Sequence, residues 1–252
     1  MNSASRISEI LKVAQAQAPN LTVGVAWANT FKVPQSKDTL ETYMETWNYL
    51  SLLNAEFKLL EGYVHQDKSL DPKLTQSGLG VVKALLASIK KLDSQWEPFK
   101  NKIQDHTFVV LGWISRDLEK TEIREEEISG DELNNLINEI SDLEKILEES
   151  KLSQPVRQVI LHHMEIVRRA ISNYPIIGAS AFKDAVVNVC GEIILNGEFP
   201  GELNEKDNIK VRDRFTNILR RSWSNMEKAP KAYAVIKITE EVVSGLIKLI
   251  AP

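Results

Sequence analysis

Apolar residues recur along the chain at intervals of three and four far more often than they alternate, and Gly and Pro fall between such runs. The pattern predicts an all-α chain. Ile7, Ile10, Leu11 and Ala14 line one face of a first short helix that must stop before Pro19, because a residue preceding proline avoids the α region. A second helix runs from Thr22 as cap to Phe31 and carries Trp27. Ser36 or Asp38 then caps a long helix with Tyr43, Trp47, Leu50, Leu53, Phe57, Leu60 and Val64 on its apolar face, a spacing expected to make it central to the core. Leu74, Val81, Leu85, Leu86 and Ile89 mark another helix between Leu70 and Leu92, although Gly78 and Gly80 each cost it roughly 1 kcal/mol relative to Ala. Phe108 to Leu118 is read as a buried helix starting near Asp105, since no partner strand lies nearby.

In the second half, Leu133, Leu136, Ile140, Leu143 and Leu147 step by three and four, the seam of a helix packed along its length on another. Ser153 as N-cap and Pro155 in the first turn open the next helix, whose Val156, Ile160, Met164, Val167 and Ile171 supply a matching stripe. The expected arrangement is a helical hairpin, and the expected architecture an antiparallel helical bundle built from such hairpins. Pro175 is expected to end the second helix of that pair, with Gly178 permitting a turn into a helix from Ser180 to about Leu195. The composition of NGEFPGELNEKDN then predicts a loop, followed by a helix from about Ile209 to Met226 and a last one from about Pro230 to Ile250.

Charge is segregated. Asp117 to Glu149 holds 13 acidic residues against 3 basic ones, a net of −10, and residues 120–130 are expected to form an exposed acidic linker. That places an N-terminal helical region at 1–119 and a C-terminal one at 131–252, with one continuous domain as the alternative. Residues 206–237 carry 9 basic and 3 acidic side chains, a net of +6, whereas the whole chain is at −4 and offers no overall field for a polyanion or an acidic membrane. A lone Cys190 cannot form an intrachain disulfide, and neither a signal-peptide pattern nor an uncharged apolar run of about 20 residues is found, so a cytoplasmic location is expected.

Motif chemistry is sparse. No phosphate-binding loop and no nucleophile elbow occurs, and Gly78-Leu-Gly80 lacks the remainder of a dinucleotide fingerprint. His162-His163-x-Glu165 and Glu61-x-x-x-His65 are the places to look for a metal, but adjacent histidines point about 100° apart on a helix, and a structural or surface role is expected for both. Cys190 among valines reads as a small buried hydrophobe. The Trp residues mostly take apolar helix positions and are expected in the core, with Trp223 the exception. No catalytic residue, metal or cofactor is assigned.

The feature with functional leverage is the helix Ile209 to Met226. Lys210, Arg214 and Arg221 lie within one sector with Arg220 close by, opposite Val211, Phe215, Ile218, Leu219 and Trp223. Such a basic amphipathic face fits docking on an acidic partner, phosphate-backbone binding or attraction to anionic lipid, while its bland role is to neutralise the chain's own acidic segment. Lys210, Arg214, Arg220, Arg221 and Trp223 are therefore the candidate interaction face of a non-catalytic protein–protein interaction or regulatory module. The alternatives are a membrane-acting helical effector or toxin using the last helix, and a nucleic-acid binder using the basic one.

Two stretches carry a resemblance. Ala26-Trp27-Ala28-x-x-Phe31-x-Val33, and Val159 to Ala185 with its Tyr174 to Gly178 corner, resemble segments of a family of uncharacterised bacterial all-helical proteins, over about a quarter of the chain. The resemblance implies a bacterial cytosolic protein of all-helical form, with an association to conflict or defence loci. It brings no catalytic residues.

Overall fold

A computed structural model describes residues 1–34, 36, 39–66, 70–121, 124–195 and 199–229. The expected last helix, 230–250, and the candidate cap Asp38 lie outside these residues. The described residues form eleven α-helices and no strand, so the fold is all-α. The chain divides into two compact units, one of residues 1–124 with 175–178 and the other of 125–174 with 179–252.

In the first unit, α1 (Ser3–Ala16) is capped by Asn2, and α2 (Val23–Phe31) by Thr22, whose side chain accepts a bond from the Val25 N–H. Lys32 closes α2 in the left-handed region at φ 57°. α3 (Thr39–Gln66) is followed by α4 (Pro72–Leu86), a 3₁₀ turn (Ala87–Lys91), the short α5 (Glu97–Lys100) and α6 (Asp105–Leu118). The Val23 and Gly24 N–H groups donate to the Ser94 and Leu92 carbonyls, and that of Trp96 to Leu21, which stitches the start of α2 to the segment before α5. Trp27 and Trp96 meet edge to face at 5.6 Å in the core beside Leu50, Leu53, Phe57 and Leu111, all buried.

Gly78 sits inside α4. A Cβ there would lie 2.6 Å from Val110 Cγ1, so its missing side chain is what lets α6 come close. An ion pair is buried in this core: Arg6 pairs with Glu56 and donates from Nε to the Ile176 carbonyl at 3.2 Å and from Nη1 to that of Met1 at 3.0 Å. Both side chains are nearly inaccessible, and a buried charge persists only when paired and hydrogen-bonded in this way. Trp47 and Trp113 depart from the expected core placement, being 47% and 48% exposed. Of the predicted apolar face of α3, Leu50, Leu53, Phe57, Leu60 and Val64 are buried and Tyr43 is half-buried.

The second unit holds α7 (Gly130–Glu148), α8 (Gln154–Ile177) up to Tyr174, α9 (Ser180–Leu195), α10 (Phe199–Leu203), a 3₁₀ turn (Lys206–Asn208) and α11 (Ile209–Glu227). Residues 199–208 thus contain a short helix and a turn where a loop was expected, with Pro200 in a first turn that needs no N–H from it. Pro175 lies inside α8, which ends two residues later, and Gly178 makes the exit at φ 63°. Two residues of the expected acidic linker are buried, while the other described residues of 120–130 are exposed. Ile128 is buried, its N–H bonded to the Tyr174 hydroxyl at 2.8 Å, and buried Glu125 accepts from the Ala179 N–H at 3.0 Å ahead of α9. Ser153 precedes α8 as expected, but its N–H and hydroxyl both donate to Glu202 of α10, at 2.9 and 2.8 Å.

Candidate functional site

α11 packs against α9 and α7 through Val211, Phe215, Ile218, Leu219 and Met226, the apolar side of its amphipathic pattern. Its basic residues divide into two groups. Those nearest the neighbouring helix are consumed by it: Arg221 Nη1 lies 2.7 Å from Glu139 Oε1, and Lys228 Nζ lies 2.8 Å from Glu132 Oε2, both partners on acidic α7. Arg212 is held by the adjacent Asp213 at 3.0 Å and also reaches Asn204 Oδ1. On the acidic side, Glu144 of α7 accepts two 2.6 Å bonds from Arg168 of α8, and Asp207 takes Lys151 at 2.8 Å.

The second group faces water. Lys210, Arg214 and Arg220 are exposed and form no ion pair among the described residues, Arg220 donating only to Asn217 Oδ1 at 3.2 Å. Of the five residues proposed as a face, these three share the outward side of α11. Arg221 is turned to α7, and Trp223 is half-buried with its indole N–H on Glu227 Oε1 at 3.0 Å. The self-neutralising role therefore accounts for Arg221 and Lys228 and leaves Lys210, Arg214 and Arg220 unexplained by it.

The histidine pair has a partner that local spacing could not show. Glu192 of α9 lies 3.0 Å from His163 Nε2 and 3.5 Å from His162 Nε2, while Glu165 instead pairs with Arg169 at 3.4 Å. His163 is wholly inaccessible and stacks on Phe215 at 6.0 Å between centroids. Burial holds its pKa below the usual histidine range, against the opposing pull of Glu192. Cys190 is buried, and desolvation pushes its thiol up to about 11, the inert setting of a structural cysteine rather than a nucleophile.

Glu61 and His65 line an open cleft of about 520 Å³ with Thr75 and Lys83, the lysine 3.5 Å from Glu61. Among the described residues no group of three or more His, Cys, Asp or Glu is placed to hold a metal ion. No helix of the described residues is long and apolar enough to cross a membrane.

No known family model, curated protein or solved structure matches the chain. Function is therefore argued from the chain's own surfaces.

Proposed function

We propose that the chain is a non-catalytic helical interaction or regulatory module, working in a bacterial cytosolic system of the kind its sequence resemblance implies, with a link to conflict or defence functions. The observation that carries this reading is the outward side of α11. Lys210, Arg214 and Arg220 stand exposed without an ion pair among the described residues, although carboxylates of the same unit take up Arg221 and Lys228. Unpaired cations on a rigid helix orient and accelerate docking on an acidic surface, and contribute less to affinity than the apolar contacts they bring into register.

The test is purification of the tagged native chain from its host at moderate salt, beside a Lys210→Glu, Arg214→Glu, Arg220→Glu variant. A protein partner retained at stoichiometric level by the native chain and lost by the variant supports the module. Nuclease-sensitive material retained with a steep salt dependence points to nucleic acid instead. The membrane-acting alternative has its carrying segment at 230–250, outside the described residues.

A further inference from the structure

The outer side of α3 is unusual for a helix whose inner side builds a core. Its exposed positions between Leu40 and Leu59 are Leu40, Glu41, Met44, Trp47, Asn48, Ser51, Ala55, Lys58 and Leu59, at the three-and-four spacing of a single stripe. Leu40 and Met44 are 64% and 62% exposed, Trp47 and Leu59 47% and 42%. Isolated apolar residues on a surface need no explanation, but four large ones along one helix face do. Only two charges interrupt the stripe, Glu41 and Lys58. They have opposite sign, sit near opposite ends, and pair with no other described residue.

These features are self-complementary under a two-fold axis. Laying the stripe antiparallel on a copy of itself, about the midpoint between Tyr49 and Leu50, puts Leu40 opposite Leu59, Glu41 opposite Lys58, Met44 opposite Ala55, and Asn48 opposite Ser51. Each contact occurs twice, as isologous symmetry requires. Bulky Met44 faces small Ala55, polar Asn48 faces polar Ser51, and both charges meet their opposites. Trp47, at the edge of the stripe, falls opposite half-buried Leu52. The stripe is about 28 Å long at 1.5 Å per residue, long enough for a helix pair. A heterologous partner would have no reason to impose this mirrored order.

We propose that the outer face of α3 is a homodimer interface, in which two copies of the chain pair antiparallel through Leu40, Met44, Trp47, Ala55 and Leu59 and set their register by Glu41 and Lys58. The proposal is independent of the face on α11. It rests on a different helix and a different partner.

The test is sedimentation equilibrium of the full chain. An interface of this size belongs with the weak ones, so dimerisation is sought from about 5 to 500 µM. Glu41→Lys and Lys58→Glu each replace two attractive pairs per dimer by two repulsive ones, and each is expected to raise the dimer Kd roughly tenfold. The double variant Glu41→Lys, Lys58→Glu restores every pair and is expected to return the native Kd. Met44→Glu abolishes the dimer. All are exposed positions, and unchanged helical circular dichroism verifies that each variant is folded. A chain that stays monomeric throughout the range overturns the proposal, and so does a dimer that ignores the single swaps or is not rescued by the double one.

Discussion

Gly78 and Gly80 lie two residues apart on α4, yet replacing each by Ala should change stability in opposite directions. At Gly80 nothing lies within 4 Å of the added Cβ, so Gly80→Ala should stabilise the helix by about 0.5–1 kcal/mol through propensity and a less flexible unfolded chain. At Gly78 the same gain is opposed by Val110, with Cγ1 at 2.6 Å, Cβ at 2.7 Å and Cγ2 at 3.2 Å from the added carbon. Carbon atoms prefer about 3.5–4.0 Å, so α4 and α6 must separate by roughly 1 Å or Val110 must leave its packed position. Because one of the clashing atoms is the Cβ of Val110, rotation of its side chain cannot relieve the overlap.

Overpacking of this kind costs about 1–3 kcal/mol, which outweighs the propensity gain and leaves Gly78→Ala destabilising by about 1–2 kcal/mol. The two variants should thus differ by roughly 2–3 kcal/mol. Thermal unfolding followed by helical circular dichroism reads this as midpoints displaced to opposite sides of the native one, separated by roughly 5–10 °C. If Gly78→Ala raised the midpoint as Gly80→Ala does, the close approach of α4 to α6 would be refuted.

Two further outcomes follow from buried polar groups. Glu56→Leu strands the Arg6 guanidinium in the first unit and should destabilise it by about 3–5 kcal/mol, while Arg6→Met with Glu56→Leu should recover much of that loss; denaturant titration of the two variants decides it, and equal losses would count against the pairing. His163 has its pKa lowered by burial, so the unfolded chain takes up its proton more readily: its contribution to stability is complete above the unfolded value near 6.5 and is lost as pH falls below it towards the folded pKa. Unfolding measured between about pH 7 and pH 5 should show this loss, and the part due to His163 should vanish in His163→Gln; an unchanged slope in that variant assigns the effect elsewhere.

What could be read from the sequence is what depends on neighbours within a turn or two. Thr22 as cap and Phe31 as the last residue of α2 follow from side-chain capping and periodicity alone, as does the start of α6 at Asp105. Of the three-and-four stepping Leu133, Leu136, Ile140, Leu143 and Leu147, the last four are buried and Leu133 is half-buried. Features set by distant residues were not visible. Trp47 shares its spacing with Leu50 and Leu53, and a periodicity cannot say where the buried sector ends. Gly78 counted against its helix because the cost of glycine is local, whereas its benefit comes from Val110, 32 positions on. Arg6 and Glu56 carry no signal, since a charged residue on a helix is expected to face water.

At the candidate site, counting charges along residues 206–237 located the basic helix but overstated its free charge. The carboxylates that neutralise Arg221 and Lys228 lie on α7, more than 80 positions earlier. A linear count cannot subtract them. Proximity in three dimensions separated Lys210, Arg214 and Arg220 from the rest.

The Arg6 side chain also carries information about the order in which this protein can be made. Residues 1–124 leave the ribosome first, but the carbonyl that accepts from Arg6 Nε belongs to Ile176, whose side chain is itself part of that unit's core. The N-terminal unit therefore waits for another 50 or so residues before its last pieces exist, several seconds at ordinary rates of synthesis. During that interval a cation near the core lacks one of its acceptors and an apolar site stands open. A fragment cut at residue 124 is permanently in that condition, and dividing this chain at its apparent boundary separates a unit from part of itself.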